Sequence, residues 1–269
     1  MNTKKLRLAL VGKDVSKSVS QQIHTFILAQ LGVECEYARY SIPMQDFDSV
    51  MRTLLGDFDG FNVTIPYKRA VMAYLSEVVG DALDFGAVNT VVTASGKGYN
   101  TDGAGFMLML REANIAVKNK KILVLGGGGS GRSTAAILKK EGADVYMYQR
   151  RKEKLLETCA ELGVTPADSG EQGGFDVLIN CTGVGMHDTT SLSPVTAQAF
   201  QGASVAVDLI YTPPTSEFLR LAKTQGLQIL NGAAMLFYQA YYADCLYLGR
   251  QPNEKQATEL YRQFTQKQP

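Results

Sequence analysis

A run of glycines directly after a short apolar segment constrains the fold of this chain more than any other feature. Residues 122–125 are apolar, the next six residues include five glycines, and Gly126, Gly128 and Gly131 fit the pattern G-x-G-x-x-G. In that pattern the glycines permit a tight turn, a close approach of the backbone to a pyrophosphate, and close packing of helix on strand. A helix after such a loop directs its free N–H groups at phosphates. The segment therefore predicts a dinucleotide-binding fold, with a flexible glycine turn as the alternative.

The segments around the glycines supply the context that this motif needs. Residues 134–138 are typical of a helix, and the apolar residues 145–148 predict a second strand about 20 residues further on. Two more strands are expected at residues 177–180 and 205–208. Strands that are apolar along their whole length are typical of a parallel sheet with helices on both faces. This part of the chain thus predicts a doubly wound sheet.

The residues ahead of the glycines show a similar alternation of short strands and helices. Strands are expected at residues 6–11, 36–41, 60–63 and 88–93, and a helix is expected at residues 20–31. Alternation of this kind favours βαβ units and a parallel or mixed sheet. The pattern after residue 233 is helical, and no further strand is expected there.

These patterns together predict an α/β fold with two domains, which suits a chain of 269 residues. We expect an N-terminal substrate domain with a mixed sheet over residues 1–103. A Rossmann-like, doubly wound dinucleotide-binding domain is expected over residues 104–232. The C-terminal helices, residues 233–269, are expected to return to the first domain.

Charge and cysteine content narrow the class of protein. Lys and Arg number 27 against 26 Asp and Glu, and a net charge of +1 gives no footprint for nucleic acid or an anionic membrane. No apolar stretch approaches the ~20 residues of a membrane span. The cysteines lie too far apart for a zinc site, so we expect four buried thiols in a reducing compartment and no metal, with a disulfide as the alternative. The four cysteines are Cys35, Cys159, Cys181 and Cys245. Charge and cysteine content together favour a cytoplasmic protein.

The residues after the second strand of the doubly wound domain indicate which nicotinamide cofactor is bound. An NAD-specific fold usually ends this strand with an acid that binds the ribose hydroxyls. Here the strand is followed by Gln149, Arg150 and Arg151, with no acid before Glu153. Two adjacent guanidiniums hold a 2′-phosphate through charge-assisted hydrogen bonds. The segment favours NADP over NAD, with a solvated basic loop as the alternative.

A polar segment follows one of the strands of the first domain, residues 62–68, with the sequence N-V-T-I-P-Y-K. Pro66 suits the first turn of a helix, which would place Lys68 near a helix N-terminus. The positive end of the helix dipole there favours loss of the ammonium proton. A lysine of this kind exchanges protons near neutral pH. The alternative is an ordinary exposed lysine.

Other polar residues of interest each have a structural explanation when taken alone. Asp102 is expected to be the N-cap of a helix, and Ser18 with Gln21 matches a capping box. Asn89 lies in an otherwise apolar predicted strand, and Gln239 lies on an apolar and aromatic helix. A buried amide costs about 1–3 kcal/mol if it is unpaired, so we expect Asn89 and Gln239 to have partners.

Taken together, these segments resemble the shikimate dehydrogenase family over nearly the whole chain. The pair N-V-T-x-P-x-K and N-T-D-G is the most specific part of the resemblance. The matching segments, in the order and spacing of the family, are residues 12–24, 62–68, 86–90, 100–103, 125–132, 149–151, 180–182, 208–211 and 232–235, together with Gln239.

The resemblance implies a reversible reduction of 3-dehydroshikimate to shikimate with NADPH, a step of the chorismate pathway to the aromatic amino acids. In the family, a lysine and an aspartate flank the reacting oxygen, and these correspond to Lys68 and Asp102. The chemistry is consistent, since hydride addition to a ketone builds negative charge on oxygen and needs a proton donor nearby. Lys68 would act there as an acid and base, or as an electrostatic stabiliser.

The resemblance also implies the residues that bind substrate and cofactor. The substrate-binding residues would be Ser18, Ser20, Asn62, Thr64, Asn89, Tyr211 and Gln239. The cofactor-binding residues would be Gly126, Gly127, Gly128, Gly129, Ser130, Gly131, Gln149, Arg150, Arg151, Thr182 and Gly232.

Some positions depart from the family pattern and leave alternatives open. Asp14 and Lys17 stand where the family has Pro and His, and Gln21 replaces a further Pro. Residues 232–235 read G-A-A-M where the family has G-[LM]-G-M, and Gln149 and Arg151 replace Asn and Thr. A quinate, quinate/shikimate or aminoshikimate-type dehydrogenase, with NAD as its possible cofactor, is therefore one alternative. A methylenetetrahydrofolate dehydrogenase and a non-catalytic NADP-binding sensor are others, and both monomer and homodimer remain open.

Overall fold

The computed structural model describes residues 5–267 and divides the chain into two compact units. Unit 1 comprises Met1–Gly105 and Phe237–Pro269, and unit 2 comprises Phe106–Leu236. Among the described residues, no helix combines the length and the apolar character needed to cross a membrane.

Unit 1 contains a mixed sheet, as the sequence predicts. Its strand order is β2-β1-β3-β5-β6-β4, with β1 parallel to β2 and β3 and with β5 antiparallel to β3 and β6. The strands are β1 (Leu6–Gly12), β2 (Cys35–Ser41), β3 (Gly60–Val63), β4 (Glu77–Val78), β5 (Thr90–Val92) and β6 (Lys97–Tyr99). The helices are α1 (Ser20–Gln30), α2 (Phe47–Asp57) and α3 (Asp81–Phe85), and α4 (Asp102–Glu112) leads into unit 2.

The central strand β1 is buried on both faces because successive side chains point to opposite sides of a strand. Leu8 and Leu10 pack with Leu28 of α1, and Ala9 and Val11 pack in a second cluster that includes residues of α2. Helices on both faces explain why β1 is apolar along its length.

Unit 2 contains a parallel sheet in the order β12-β11-β10-β7-β8-β9. Read from the other edge, this is the order third, second, first, fourth, fifth, sixth of a doubly wound dinucleotide-binding fold. The strands are β7 (Lys121–Leu125), β8 (Asp144–Tyr148), β9 (Thr165–Pro166), β10 (Val177–Asn180), β11 (Val205–Asp208) and β12 (Gln228–Asn231), and the helices are α5 (Gly129–Lys140), α6 (Lys152–Leu162) and α7 (Glu217–Thr224). The predicted Rossmann-like fold is confirmed.

The C-terminal helices return to unit 1, as predicted. They are α8 (Ala233–Tyr247) and α9 (Glu254–Gln266), and unit 1 includes α8 from Phe237 onward. The ring of Phe237 lies 6.3 Å from that of Phe26 on α1 and 5.3 Å from that of Phe264 on α9. Aromatic contacts thus hold both helices against α1.

Two local predictions are wrong. The segment after Pro66 does not begin an α-helix: residues 64–69 form turns, and a five-residue 3-10 helix, Ala70–Tyr74, follows. Tertiary packing explains the turns, because the buried ring of Tyr67 stacks on Phe47 and its hydroxyl donates to the carbonyl of Ile42 at 2.5 Å.

The predicted capping box of Ser18 and Gln21 is also absent. The N-cap of α1 is Val19, and within the described chain no side chain caps this helix. The Ser18 hydroxyl instead donates to the Ser20 hydroxyl at 3.0 Å, and the Ser20 N–H donates back to Ser18 Oγ at 3.2 Å. The hydrogen bonds between Ser18 and Ser20 thus take the place of the predicted bonds between Ser18 and Gln21.

The helical glycines Gly105 and Gly56 give a paired test of the fold of unit 1. A Cβ at Gly105 would lie 2.6 Å from the backbone N of Gln239, so we expect Gly105→Ala to destabilise the protein by about 1–3 kcal/mol. A Cβ at Gly56 would have no described atom within 4 Å, so Gly56→Ala should stabilise α2 by about 0.5–1 kcal/mol. Urea unfolding of both variants measures the two effects. Equal shifts in the same direction would contradict the close approach of α4 and α8 within unit 1.

Candidate active site

Lys68 and Asp102 are in direct contact in unit 1. Lys68 Nζ lies 2.5 Å from Asp102 Oδ2, and the side chains are 13% and 10% exposed. Lys68 lies in the turns after β3, and Asp102 is the first residue of α4. A charge-assisted hydrogen bond at this low exposure is stronger than one in water. The pair holds a proton donor and a carboxylate at one point of the unit.

The second oxygen of the Asp102 carboxylate is bound by Asn89. Asn89 Nδ2 donates to Asp102 Oδ1 at 2.8 Å and to Thr101 Oγ1 at 3.0 Å. Asn89 Oδ1 accepts from the Thr101 N–H at 2.9 Å. The Asp102 N–H donates to Asn100 Oδ1 at 3.0 Å, so Asn100 serves the helix end while the Asp102 carboxylate faces Lys68 and Asn89. The partners expected for the buried amide of Asn89 are therefore present.

Asn62 and Gln239 join the same group of polar side chains. Asn62 Nδ2 donates to Thr90 Oγ1 at 3.3 Å, and its Oδ1 accepts from the Tyr37 hydroxyl at 2.9 Å. Gln239 Oε1 accepts from Asn89 Nδ2 at 3.4 Å. Asn89 thus contacts Asp102 directly, and Gln239 is connected to the pair through Asn89. Asn62 is connected through Thr90 and Asn89.

Ser18, Ser20 and Thr64 lie on the segments that follow β1 and β3, at the carboxyl ends of neighbouring parallel strands. These segments are tied together, since the Lys13 N–H donates to the Ile65 carbonyl at 3.1 Å. Ligands of open α/β sheets bind beyond the carboxyl ends of the strands.

The glycine loop of unit 2 has the shape that a dinucleotide requires. Gly126 has a φ of +101°, which favours glycine, and a Cβ at Gly131 would lie 1.9 Å from the Gly126 carbonyl oxygen. A Cβ at Gly128 or Gly129 would meet no described atom within 4 Å, so this side of the loop is open. Helix α5 begins at Gly129 and, in the described chain, has no side-chain cap, which leaves its N–H groups for an anion.

The residues after β8 complete this cradle. The Gln149 side chain lies against Gly127, and its buried Nε2 has no hydrogen-bond partner among residues 5–267. An orphaned buried donor beside the loop indicates a missing acceptor. Arg150 and Arg151 are exposed, as cations that bind a ribose phosphate need to be. The residues present therefore fit a dinucleotide with a 2′-phosphate.

A buried carboxylate organises the loops after β10 and β11. Asp208 Oδ1 accepts from Asn180 Nδ2 and from the Ile210 N–H, both at 3.0 Å. Burial raises the pKa of Asp208 above its ordinary value. Asn180 Oδ1 in turn accepts from the Thr182 hydroxyl at 2.7 Å. The network fixes the segments that carry Thr182 and the half-buried Tyr211. Both residues lie in unit 2.

Gly232 packs against the same segment. A Cβ at this position would lie 2.1 Å from the Leu209 carbonyl oxygen, so a larger residue would displace the chain after β11.

Within the described part of the protein, no group of three or more His, Cys, Asp or Glu side chains has a metal-binding arrangement.

Sequence reasoning missed residues that support the site from a distance. Tyr37 binds Asn62 although 25 residues separate them. Thr101 is hydrogen-bonded to both the nitrogen and the oxygen of the Asn89 amide. His24 matched a family position, but its partner Asp244, 220 residues away, was not foreseen. Thr101 stands in the N-T-D-G segment and was detectable there, whereas Tyr37 and Asp244 have no local signal.

Two α/β units, one with a paired lysine and aspartate and one with a Rossmann-type glycine loop, define the class of two-domain nicotinamide-dependent oxidoreductases. Comparison with known proteins identifies the family. The profile of the family described as shikimate dehydrogenase substrate binding domain matches residues 10–91.

Relatives match over nearly the whole chain. The shikimate dehydrogenase (NADP(+)) of Thermus thermophilus is 36% identical over 259 residues, which are 96% of this chain and 98% of the relative. That of Shouchella clausii is 34% identical and covers 93% of this chain and 95% of the relative. The chain belongs to the shikimate dehydrogenase family.

Solved structures agree with this assignment. The Thermus thermophilus shikimate 5-dehydrogenase in complex with NADP(H) and shikimate has a TM-score of 0.87 and 34% identity, covering 96% of this chain and 99% of that one. A chorismate mutase/shikimate 5-dehydrogenase fusion protein from Clostridium acetobutylicum has a TM-score of 0.91, also at 34% identity, with 98% of each chain covered.

Proposed function

We propose that this chain is an oxidoreductase that reversibly reduces 3-dehydroshikimate to shikimate with NADPH, a step of the chorismate pathway to the aromatic amino acids. The observation that carries the proposal is the contact between Lys68 and Asp102, with Asn89 on the other carboxylate oxygen. Homologues named shikimate dehydrogenase (NADP(+)) over 96% of this chain support both the substrate and the cofactor.

The Lys68–Asp102 pair performs the proton transfer. NADPH, when bound, supplies the hydride that reduces the ring ketone. Negative charge then develops on the ketone oxygen, and the Lys68 ammonium gives that oxygen a proton to form the hydroxyl. In the oxidation direction the neutral amine takes the hydroxyl proton. Asp102 holds the amine in place through the 2.5 Å contact.

The polar side chains around this pair orient the substrate. The Ser18 and Ser20 hydroxyls suit a carboxylate, and Thr64, Asn89 and Gln239 suit ring hydroxyls, because hydroxyl and amide groups donate and accept in fixed directions. We assign Asn62 and Tyr211 to the substrate as well. A site of this type rejects analogues that lack the hydroxyls, since its own polar groups would then be unpaired.

NADP is held by unit 2 in this proposal. The backbone of residues 126–131, Ser130 included, and the start of α5 receive the pyrophosphate. Gln149, Arg150 and Arg151 receive the adenosine part with its 2′-phosphate. Thr182 and Gly232 lie on the remaining loops at the carboxyl ends of the strands.

One departure from the family pattern, Asp14, has a defined local role. Asp14, where the family has proline, accepts from the Ser16 N–H at 3.0 Å and from its hydroxyl at 2.7 Å. Aspartate in this arrangement forms a turn, as proline does. The aspartate at residue 14 is therefore explained by the turn that it forms, without a contact to substrate.

A cytoplasmic location and a monomeric or homodimeric state complete the proposal. The four cysteines all lie in the described chain and are free thiols, as is usual in a reducing compartment. Cys159 and Cys245 are buried as predicted, whereas the prediction is wrong for Cys35 and Cys181, which are partly exposed. Size-exclusion chromatography with light scattering distinguishes monomer from homodimer.

A substrate-by-cofactor activity matrix tests the function. We expect the highest kcat/KM for 3-dehydroshikimate with NADPH, and for shikimate with NADP in the reverse direction, because Arg150 and Arg151 match the 2′-phosphate. Quinate, NADH and a folate substrate complete the matrix. A preference for quinate with NAD of more than about tenfold, or 1.4 kcal/mol, would reject the proposed specificity.

Replacement of Lys68 tests the proton-transfer role. We expect Lys68→Ala to lower kcat by about 10²–10⁴-fold with the fold intact, the effect of removing a positioned acid or base. Lys97→Ala is the matched control, because Lys97 forms a 2.7 Å ion pair with Glu77 at 39% and 54% exposure. Steady-state kinetics and circular dichroism measure both variants. Unchanged turnover in Lys68→Ala would exclude the mechanism.

Replacement of Arg150 tests the choice of cofactor. We expect Arg150→Ala to raise the KM for NADPH by about tenfold and to leave the KM for NADH nearly unchanged, since only NADPH carries the 2′-phosphate. Arg220→Ala is the control, because Arg220 is paired with Glu217 on α7. An equal rise for both nicotinamides would point to a structural role for Arg150.

A further inference from the structure

Tyr37 is a buried tyrosine that the proposed mechanism does not use. It lies in the edge strand β2, and only 6% of its surface is exposed. Its hydroxyl donates to Asn62 Oδ1 at 2.9 Å. Burial raises the pKa of Tyr37 well above its ordinary value, so the phenol keeps its proton and remains a donor.

The ring of Tyr37 is itself held in place. It stacks on the His24 ring with centroids 4.8 Å apart and planes inclined by 17°. His24 Nδ1 lies 2.6 Å from Asp244 Oδ1, and the two side chains are 1% and 0% exposed. A ring packed on a buried, hydrogen-bonded neighbour has little freedom to rotate, so the Tyr37 hydroxyl has a fixed direction.

The hydrogen bond from Tyr37 and the backbone carbonyl of Asn89 together fix the orientation of the Asn62 amide. With Oδ1 turned to the tyrosine, Nδ2 donates to the Thr90 hydroxyl and to the Asn89 carbonyl, both at 3.3 Å. A flipped amide would put Oδ1 against the Asn89 carbonyl oxygen, which only accepts. The Thr90 hydroxyl then donates to Asn89 Oδ1 at 2.9 Å.

The orientation of Asn89 decides how Asp102 is held. With Oδ1 occupied by Thr90 and by the Thr101 N–H, the amide presents Nδ2 to Asp102 Oδ1 at 2.8 Å. The other carboxylate oxygen faces Lys68. The hydrogen bonds from β2 to the Lys68–Asp102 pair therefore all run in one direction, with each residue donating to the next. The order is Tyr37, Asn62, Thr90, Asn89 and Asp102.

We propose that Tyr37 is a positioning residue for the Lys68–Asp102 pair and acts through the hydrogen-bond chain Asn62, Thr90 and Asn89. This inference rests on the proposed function, because it assigns Lys68 and Asp102 to catalysis. The stacked His24 and its partner Asp244 anchor the far end of the chain. Tyr37 does not touch the substrate in this scheme: it acts on kcat through Asp102, and on substrate binding only through the Asn62 amide.

Removal of the Tyr37 hydroxyl tests the proposal. We expect Tyr37→Phe to lower kcat about fivefold, the effect of losing one neutral hydrogen bond. The KM for shikimate should rise by a smaller factor, because the Asn62 amide keeps its contact with the Asn89 carbonyl. Tyr40→Phe is the matched control, since Tyr40 lies on the same strand and packs in the cluster on the opposite face, with its ring 5.9 Å from that of Phe58. A kcat for Tyr37→Phe equal to that of Tyr40→Phe would overturn the proposal, even if the melting temperature falls.

A double-mutant cycle distinguishes positioning from a general loss of structure. Thr90→Val removes the next hydroxyl but keeps the shape of the side chain, and it also serves if Tyr37→Phe does not fold. Both changes interrupt one chain, so the double variant should lose about five- to tenfold in kcat rather than the product of the single effects. Multiplicative losses would show that the two hydroxyls act independently and would overturn the proposal.

Failure of this inference is separable from failure of the proposed function. A wild-type protein that does not turn over shikimate rejects the function, whereas an active wild type with unaffected variants rejects only the role of Tyr37. A crystal structure of Tyr37→Phe needs no turnover: we expect a rotated Asn62 amide and a lengthened contact between Asn89 and Asp102. An unchanged 2.8 Å contact between those residues would overturn the inference.

Discussion

The ion pair of Lys68 and Asp102 is the interaction around which unit 1 is organised, because two charges at 13% and 10% exposure need partners close by. A buried charge without a partner costs several kcal/mol of folding free energy, and a buried amide without a partner costs about 1–3 kcal/mol. Asn89 supplies a partner for the Asp102 carboxylate, and Thr101 supplies partners for the Asn89 amide. The same hydrogen bonds that stabilise the pair also fix its geometry. Stability and chemistry thus have one physical origin in this unit.

Unit 2 is organised by backbone approach and by one buried carboxylate. The glycine loop brings the main chain so close to itself that a Cβ at Gly131 would overlap the carbonyl of Gly126. At the ends of β10 and β11, Asp208 gathers donors from Asn180, Ile210 and Ser216. Burial raises the pKa of this carboxyl, and those donors limit the rise. These hydrogen bonds connect the end of β10 to the segment that follows β11.

Family membership and the physical reading of the site support each other. Relatives 34–36% identical to this chain carry the name shikimate dehydrogenase (NADP(+)). The structure adds what a name does not contain: the bonds that orient each side chain and the reason why Asp14 replaces a proline without loss of the turn. It also shows that Tyr37, on the edge strand β2, is connected by hydrogen bonds to the Lys68–Asp102 pair.

The amino-acid sequence by itself determined the two α/β units, the parallel sheet and the glycine loop, because apolar periodicity and glycine stereochemistry act over a few neighbouring residues. It also supplied Lys68, Asp102 and the other motif residues as candidates. Only the tertiary structure decided that Lys68 lies in turns rather than at an α-helix N-terminus, since the packing of Tyr67 on Phe47 overrides the local preference. The partnerships of Tyr37 with Asn62 and of His24 with Asp244 likewise required the fold. They join residues far apart in the chain, and only packing brings such residues within hydrogen-bond distance.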